Sequence, residues 1–209
     1  MVMMVKARWT FGAVTVAVLL VCSLFIAGTS MATNDTLLAG VFSPARVAPE
    51  FSFRSPDGAE AKLSQYRGKV VLLAFGYTAC TNVCPATLAT LALVNKKLGA
   101  DARGVQVIYV TVDPERDDAE HLKRYVRGFN PDFIGVSGMP DQLAKIHKEY
   151  GIDVQKIPSK RGGYEVAHSS FIYLIDKQGK LQALMPFGQS PDNFVHDVKI
   201  LLRRPMSVS

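Results

Sequence analysis

Two almost wholly apolar runs, residues 69–75 (KVVLLAF) and 104–112 (GVQVIYVTV), constrain this chain most. Neither alternates polar with apolar residues, so neither suits a strand with one face in water. Both have the length and β-branched content of strands buried on both faces, as in a parallel sheet covered by helices. A helical pattern follows each. From Asn82 onward Leu88, Leu91, Val94 and Leu98 recur at helical spacing; Pro85 sits near the first turn, where it is tolerated, and Gly99 ends the helix. Residues 117–127 read as a second helix after the stop at Asp113-Pro114, residues 133–136 as a short strand, and residues 141–150 as a helix that Gly151 caps. Residues 170–175 and 180–186 flank the turn 176–179 as a β-hairpin, and residues 191–202 form a last helix. Residues 152–167 are expected to be a long loop, mobile at 160–163, and Pro56-Asp57-Gly58 a turn. This order predicts an α/β fold with a central mixed β-sheet flanked by helices.

The N-terminus has a different character. Lys6 and Arg8 precede an apolar run from Trp9 to Ala27, broken only by Thr10, Thr15 and Ser23. At about 1.5 Å per residue such a run matches the hydrocarbon thickness of a bilayer. Positive charge ahead of it places the N-terminus inside and the body outside the cytoplasm. An uncleaved membrane anchor competes with a cleaved signal segment, for which Ser30-Met31-Ala32 offers small residues. The anchor fits better, because the run exceeds a usual signal core. A lipid-modified Cys22 is a third option, disfavoured by Val21 before it. The expected organisation is an anchor or signal segment over 1–32, a tether over 33–49 and a folded domain over 50–205.

The net charge of +6 is mild, and its cations are scattered without interleaved aromatics. Nothing here supports nucleic-acid binding. Of the three cysteines, only Cys80 and Cys84 lie in the body, too few for a disulfide-stapled scaffold. A close pair in an otherwise cysteine-free domain reads as a redox or metal site. The pair is C-x-x-x-C, in the loop and first helical turn after an inner strand, where open α/β sheets form sites. Unpaired N–H groups and the helix dipole there favour thiolate over thiol, which serves both disulfide and metal chemistry. An inert disulfide is the bland alternative; closing so short a loop makes it a poor staple. Among the histidines, His121, His147 and His196 read as residues of polar helix faces. His168 stands apart, ending a Gly-containing loop just before a strand expected beside the one that feeds the cysteines. Two thiolates and one imidazole suit Cu(I).

Several separated segments resemble the Sco/SenC family, copper chaperones of cytochrome c oxidase assembly. They are Phe75-Gly76-Tyr77-Thr78 leading into C-x-x-x-C-Pro, Thr111-Val112-Asp113-Pro114-Glu115-Arg116-Asp117, Phe129-Asn130-Pro131-Asp132-Phe133, and His168-Ser169-Ser170 before Tyr173-Leu174-Ile175-Asp176. The resemblance covers residues 45–205. It implies a thioredoxin-like fold with Cys80, Cys84 and His168 as copper ligands, in a membrane-tethered domain outside the cytoplasm. The implied recipient of the copper is cytochrome c oxidase subunit II; a thioredoxin-like reductant or another copper chaperone would be further partners. Asp113 is an acid the family places near the site. Two positions depart from the family's usual pattern, Thr81 in place of proline and Ala167 in place of an aspartate before the histidine. The competing reading is a thiol–disulfide oxidoreductase that reduces the cysteines of the oxidase copper site, or a redox sensor. A standard thioredoxin would use C-x-x-C, and a dithiol enzyme has no evident need of His168.

Overall fold

In the computed structural model, β4 (Val70–Gly76) and β5 (Val105–Thr111) are buried along all their residues and pair in parallel. The structure describes residues 36–54, 60–159 and 162–206. The segment 1–32, the turn at Pro56-Asp57-Gly58, and residues 160 and 161 lie outside the described residues. Among the described residues no helix is long and apolar enough to cross a membrane.

The two inner strands sit in a six-stranded sheet of order β1-β10-β9-β4-β5-β6. On one side β5 pairs in parallel with β6 (Ile134–Val136). On the other, β9 (Phe171–Ile175) runs antiparallel to β4, and β10 (Lys180–Pro186) antiparallel to β9. The expected neighbourhood of β9 and β4 is therefore met. Two further strands, β2 (Ser52–Arg54) and β3 (Glu60–Lys62), pair only with each other.

Successive residues of β4 face opposite sides, as a strand requires. Phe75 packs on His147 and Tyr150 of α3 (Pro140–Tyr150), with Tyr173 of β9 completing the cluster. Gly76 faces Cys84 of α1 (Val83–Leu98). Helices thus cover both faces of the sheet. The stripe Leu88, Leu91, Val94 and Leu98 is buried as its spacing predicts, and α1 packs beside α4 (Pro191–Arg203). Gly151 ends α3 in the left-handed conformation, φ 70°, which only glycine adopts at little cost.

Three expectations need correction. Residues 40–47, read as tether, form β1 (Gly40–Val47), antiparallel to β10 at the sheet edge. No apolar period announces this strand, because most of its side chains are exposed. What fixes the chain there is polar. The buried Asp197 carboxylate of α4 accepts from the N–H groups of Leu38 and Ala39 at 2.8 and 2.9 Å. Second, the expected loop 152–167 contains a two-stranded hairpin, β7 (Val154–Pro158) with β8 (Tyr164–His168). Its residues are mostly exposed and its apolar ones keep no steady alternation, so the pairing left no hydrophobic trace. Third, His147 is not on a polar face. It is buried, and its Nε2–H donates to the Thr111 carbonyl at 3.0 Å. Burial, only partly offset by that carbonyl, holds its pKa below the ordinary imidazole value.

Candidate metal centre

The site is built at the C-terminal end of β4. The chain leaves the strand at Gly76, crosses residues 77–82 and enters α1, with Cys80 in the loop and Cys84 second in the helix. Gly76 is required there by space: a Cβ would strike the Tyr109 hydroxyl and stand 2.9 Å from the Cys84 sulfur. Asp117, fully buried, shapes the loop. Its carboxylate accepts from the Thr78 N–H at 3.0 Å, the Thr78 hydroxyl at 2.5 Å and the Thr111 hydroxyl at 2.7 Å. This duty explains why α2 (Ala119–Arg127) starts two residues later than the pattern suggested. Asp118 is its N-cap, accepting from the His121 N–H at 2.7 Å, while Asp117 turns inward. His121 is exposed, as expected, but its Nε2 meets the Thr78 hydroxyl at 3.0 Å.

Both cysteines are free thiols. The Cys80 sulfur accepts from the Cys84 N–H at 3.5 Å, a capping position that the N-cap residue Asn82 leaves vacant. Burial raises the Cys80 pKa, but donation from Cys84, Asn82 and Val83 outweighs it, and the thiol ends below its ordinary value. Cys84 is 2% exposed, and burial pushes it up to about 12, against the Tyr109 hydroxyl and the Tyr77 N–H, which pull it down. The pair is therefore asymmetric, with an accessible, acidic sulfur beside a buried, reluctant one.

His168 closes the arrangement from the end of β8. Its Nδ1 stands 2.9 Å from the Ser169 carbonyl, which accepts only from a protonated nitrogen, so Nδ1 carries the proton and Nε2 bears a lone pair. Nε2 lies 3.7 Å from the Cys84 sulfur. Burial keeps the ring's pKa below the ordinary value despite the carbonyl, so it is neutral at neutral pH. The ring packs edge-on to Tyr77. The departure at Ala167 costs His168 no visible support. Ala167 is exposed, and a backbone carbonyl supplies the orienting acceptor.

Donor spacing fits a shared ion. Thiolate and imidazole donors about 2.3 and 2.0 Å from one metal at a trigonal angle stand about 3.7 Å apart. Among the described residues, however, no three His, Cys, Asp or Glu side chains are already gathered to hold a metal ion. Cys84 and His168 stand side by side, while the Cys80 sulfur is engaged with the helix N-terminus.

Asp113, Arg116 and Tyr164 form a clamp that sequence reasoning missed apart from Asp113. Asp113 is fully buried; it accepts from the Tyr164 hydroxyl at 2.8 Å and from Arg116 Nε. The Arg116 guanidinium also donates to the Tyr164 carbonyl at 3.0 Å and lies over the Tyr164 ring at 4.0 Å. Asp113 thus ties the β7–β8 hairpin, which carries His168, to the turn after β5. His196 donates to Asp197 at 2.9 Å in the α4 region and takes no part.

A sequence model of the SCO1/SenC family matches residues 41–203. An SCO2-like protein of Rickettsia prowazekii is 30% identical over 157 residues, which cover 72% of this chain and 77% of that protein. ScoI of Bradyrhizobium japonicum, solved with copper bound, matches with TM-score 0.68 and 33% identity over 75% of this chain and 99% of its own. BsSco, described as having a disulfide switch and as a member of the Sco family of cytochrome c oxidase assembly proteins, matches with TM-score 0.58 and 26% identity over 74% of this chain and 92% of its own. The chain is a thioredoxin-like protein belonging to the SCO1/SenC family.

Proposed function

We propose that the domain is a copper metallochaperone that holds its cargo through Cys80, Cys84 and His168 and serves assembly of the copper centre of cytochrome c oxidase subunit II. The observation that carries this reading is the unprotonated Nε2 of His168, held by the Ser169 carbonyl at 3.7 Å from the Cys84 sulfur. Two soft sulfurs and one imidazole select copper, and the family includes members solved with copper bound. Capture needs both thiols reduced and deprotonated. Oxidation to a disulfide therefore gates binding, and thiolate formation on the metal releases protons. Cys80, accessible and acidic, meets the ion first; its sulfur then turns from the helix terminus toward Cys84. The N-terminal apolar run would keep the domain at the outer face of a membrane, by anchor or by lipid.

A dithiol oxidoreductase draws support from one observation, the pKa asymmetry of the cysteines. His168 discriminates. Copper titration of the reduced protein should give one ion bound by two sulfurs and a nitrogen in X-ray absorption. His168→Ala should lose the nitrogen and weaken binding by more than about tenfold, while its thiols still oxidise. The oxidised protein should take up no copper until reduced. Absence of tight copper, or sulfur-only binding identical in both proteins, would favour the oxidoreductase.

A further inference from the structure

Tyr109 is 1% exposed, and its hydroxyl is buried without a hydrogen-bond partner. Phenylalanine would fill the same space on β5 without stranding a polar atom, so the hydroxyl calls for a reason. It faces the Cys84 sulfur across the gap left by Gly76. A Cβ at that glycine would lie 2.7 Å from the ring carbon that bears the hydroxyl and 2.9 Å from the sulfur. A tyrosine hydroxyl is protonated at neutral pH and so is available as a donor. A neutral thiol is a weak acceptor and a thiolate a strong one. The hydroxyl therefore lacks a good acceptor while Cys84 is protonated and gains one when the sulfur becomes a ligand.

We propose that Tyr109 is a positioning residue of the copper site, its hydroxyl donating to the Cys84 sulfur once that sulfur carries the negative charge of a metal-bound thiolate. This rests on the copper reading above. It adds a group that favours the loaded state from beneath the site without touching the ion.

Tyr109→Phe tests it without creating a cavity. Metal-free Tyr109→Phe should melt at the same temperature as wild type or higher, since it loses only an unpaired hydroxyl. With copper the order should reverse. The copper-induced rise in melting temperature should be smaller in the variant, and Cu(I) affinity should fall about tenfold. The thiolate-to-Cu(II) charge-transfer band should move to lower energy, because a sulfur freed of its hydrogen bond gives up charge more readily. Equal copper-induced rises with identical bands would overturn the role of Tyr109 and leave the copper reading intact. A lower melting temperature of the metal-free variant would also overturn it, showing the hydroxyl already paired. If wild type shows neither copper-induced rise nor band, the copper reading falls and takes this inference with it.

Discussion

Replacing Cys84 by serine is expected to abolish tight Cu(I) binding. Loss of supporting groups around a metal commonly costs 10- to 100-fold in affinity. Removing a sulfur donor should exceed that, to more than about a hundredfold, because a hydroxyl is too hard a ligand for Cu(I). Cys84 is the deeper thiol, beneath the loop and beside Tyr109, so the variant also replaces a close-packed sulfur by a smaller oxygen and should lose about 1–2 kcal/mol of stability. Cys80→Ser should lose the copper equally but cost little stability. Cys80 is half-buried, and its sulfur already occupies a capping position that serine fills well. Competition of each variant with a Cu(I)-specific chelator, beside urea denaturation, separates the two effects. Stoichiometric tight binding by either serine variant would remove that cysteine from the site.

Asp117→Ala should be the most destabilising single change near the site, by about 3–5 kcal/mol. Asp117 is fully buried and accepts three hydrogen bonds, from two groups of Thr78 and one of Thr111. Alanine leaves the Thr111 hydroxyl without this acceptor in the interior and takes the shared carboxylate from both groups of the half-buried Thr78, and the buried loss carries a desolvation penalty. The Thr78 bonds hold the strand-to-helix loop that presents Cys80, so the loss should reach the proposed copper site as well. Asp117→Asn keeps the shape and one carbonyl oxygen, and should fall between wild type and alanine. The check is the urea midpoint of each variant, with copper affinity measured where each is still folded. Alanine within 1 kcal/mol of wild type would show that the loop stands without this carboxylate.

The residues that can be read from the sequence are those whose neighbours in space follow a period along the chain. Strands β4 and β5 and helix α1 were legible because burial on both faces, or along one stripe, leaves a continuous or 3.6-residue signal. Cys80, Cys84 and His168 could be singled out by type and order, and the antiparallel pairing of β4 with β9 helps bring His168 near Cys84. Strand β1 and the β7–β8 hairpin were not legible. Both are held by backbone pairing and by buried carboxylates, Asp197 for the first and Asp113 for the second, and polar clamps have no period. His147 escaped for a related reason. Its polar sequence neighbours point outward while it turns in to the Thr111 carbonyl at the end of β5. The Tyr109 hydroxyl could have been noticed as the one polar atom in an otherwise apolar strand centre.

The β7–β8 hairpin forms a separate two-stranded sheet. The proposed donors accordingly ride on two mechanical parts, the cysteines on the main sheet and its first helix and the histidine on an arm pinned by Asp113 and Arg116. A cargo gripped this way acts as a rivet between arm and body. It also allows release in stages. Were the proposed site loaded, an acceptor that drew the arm aside would take one donor from the ion while two still held it, and the ion would pass over without being free in solution.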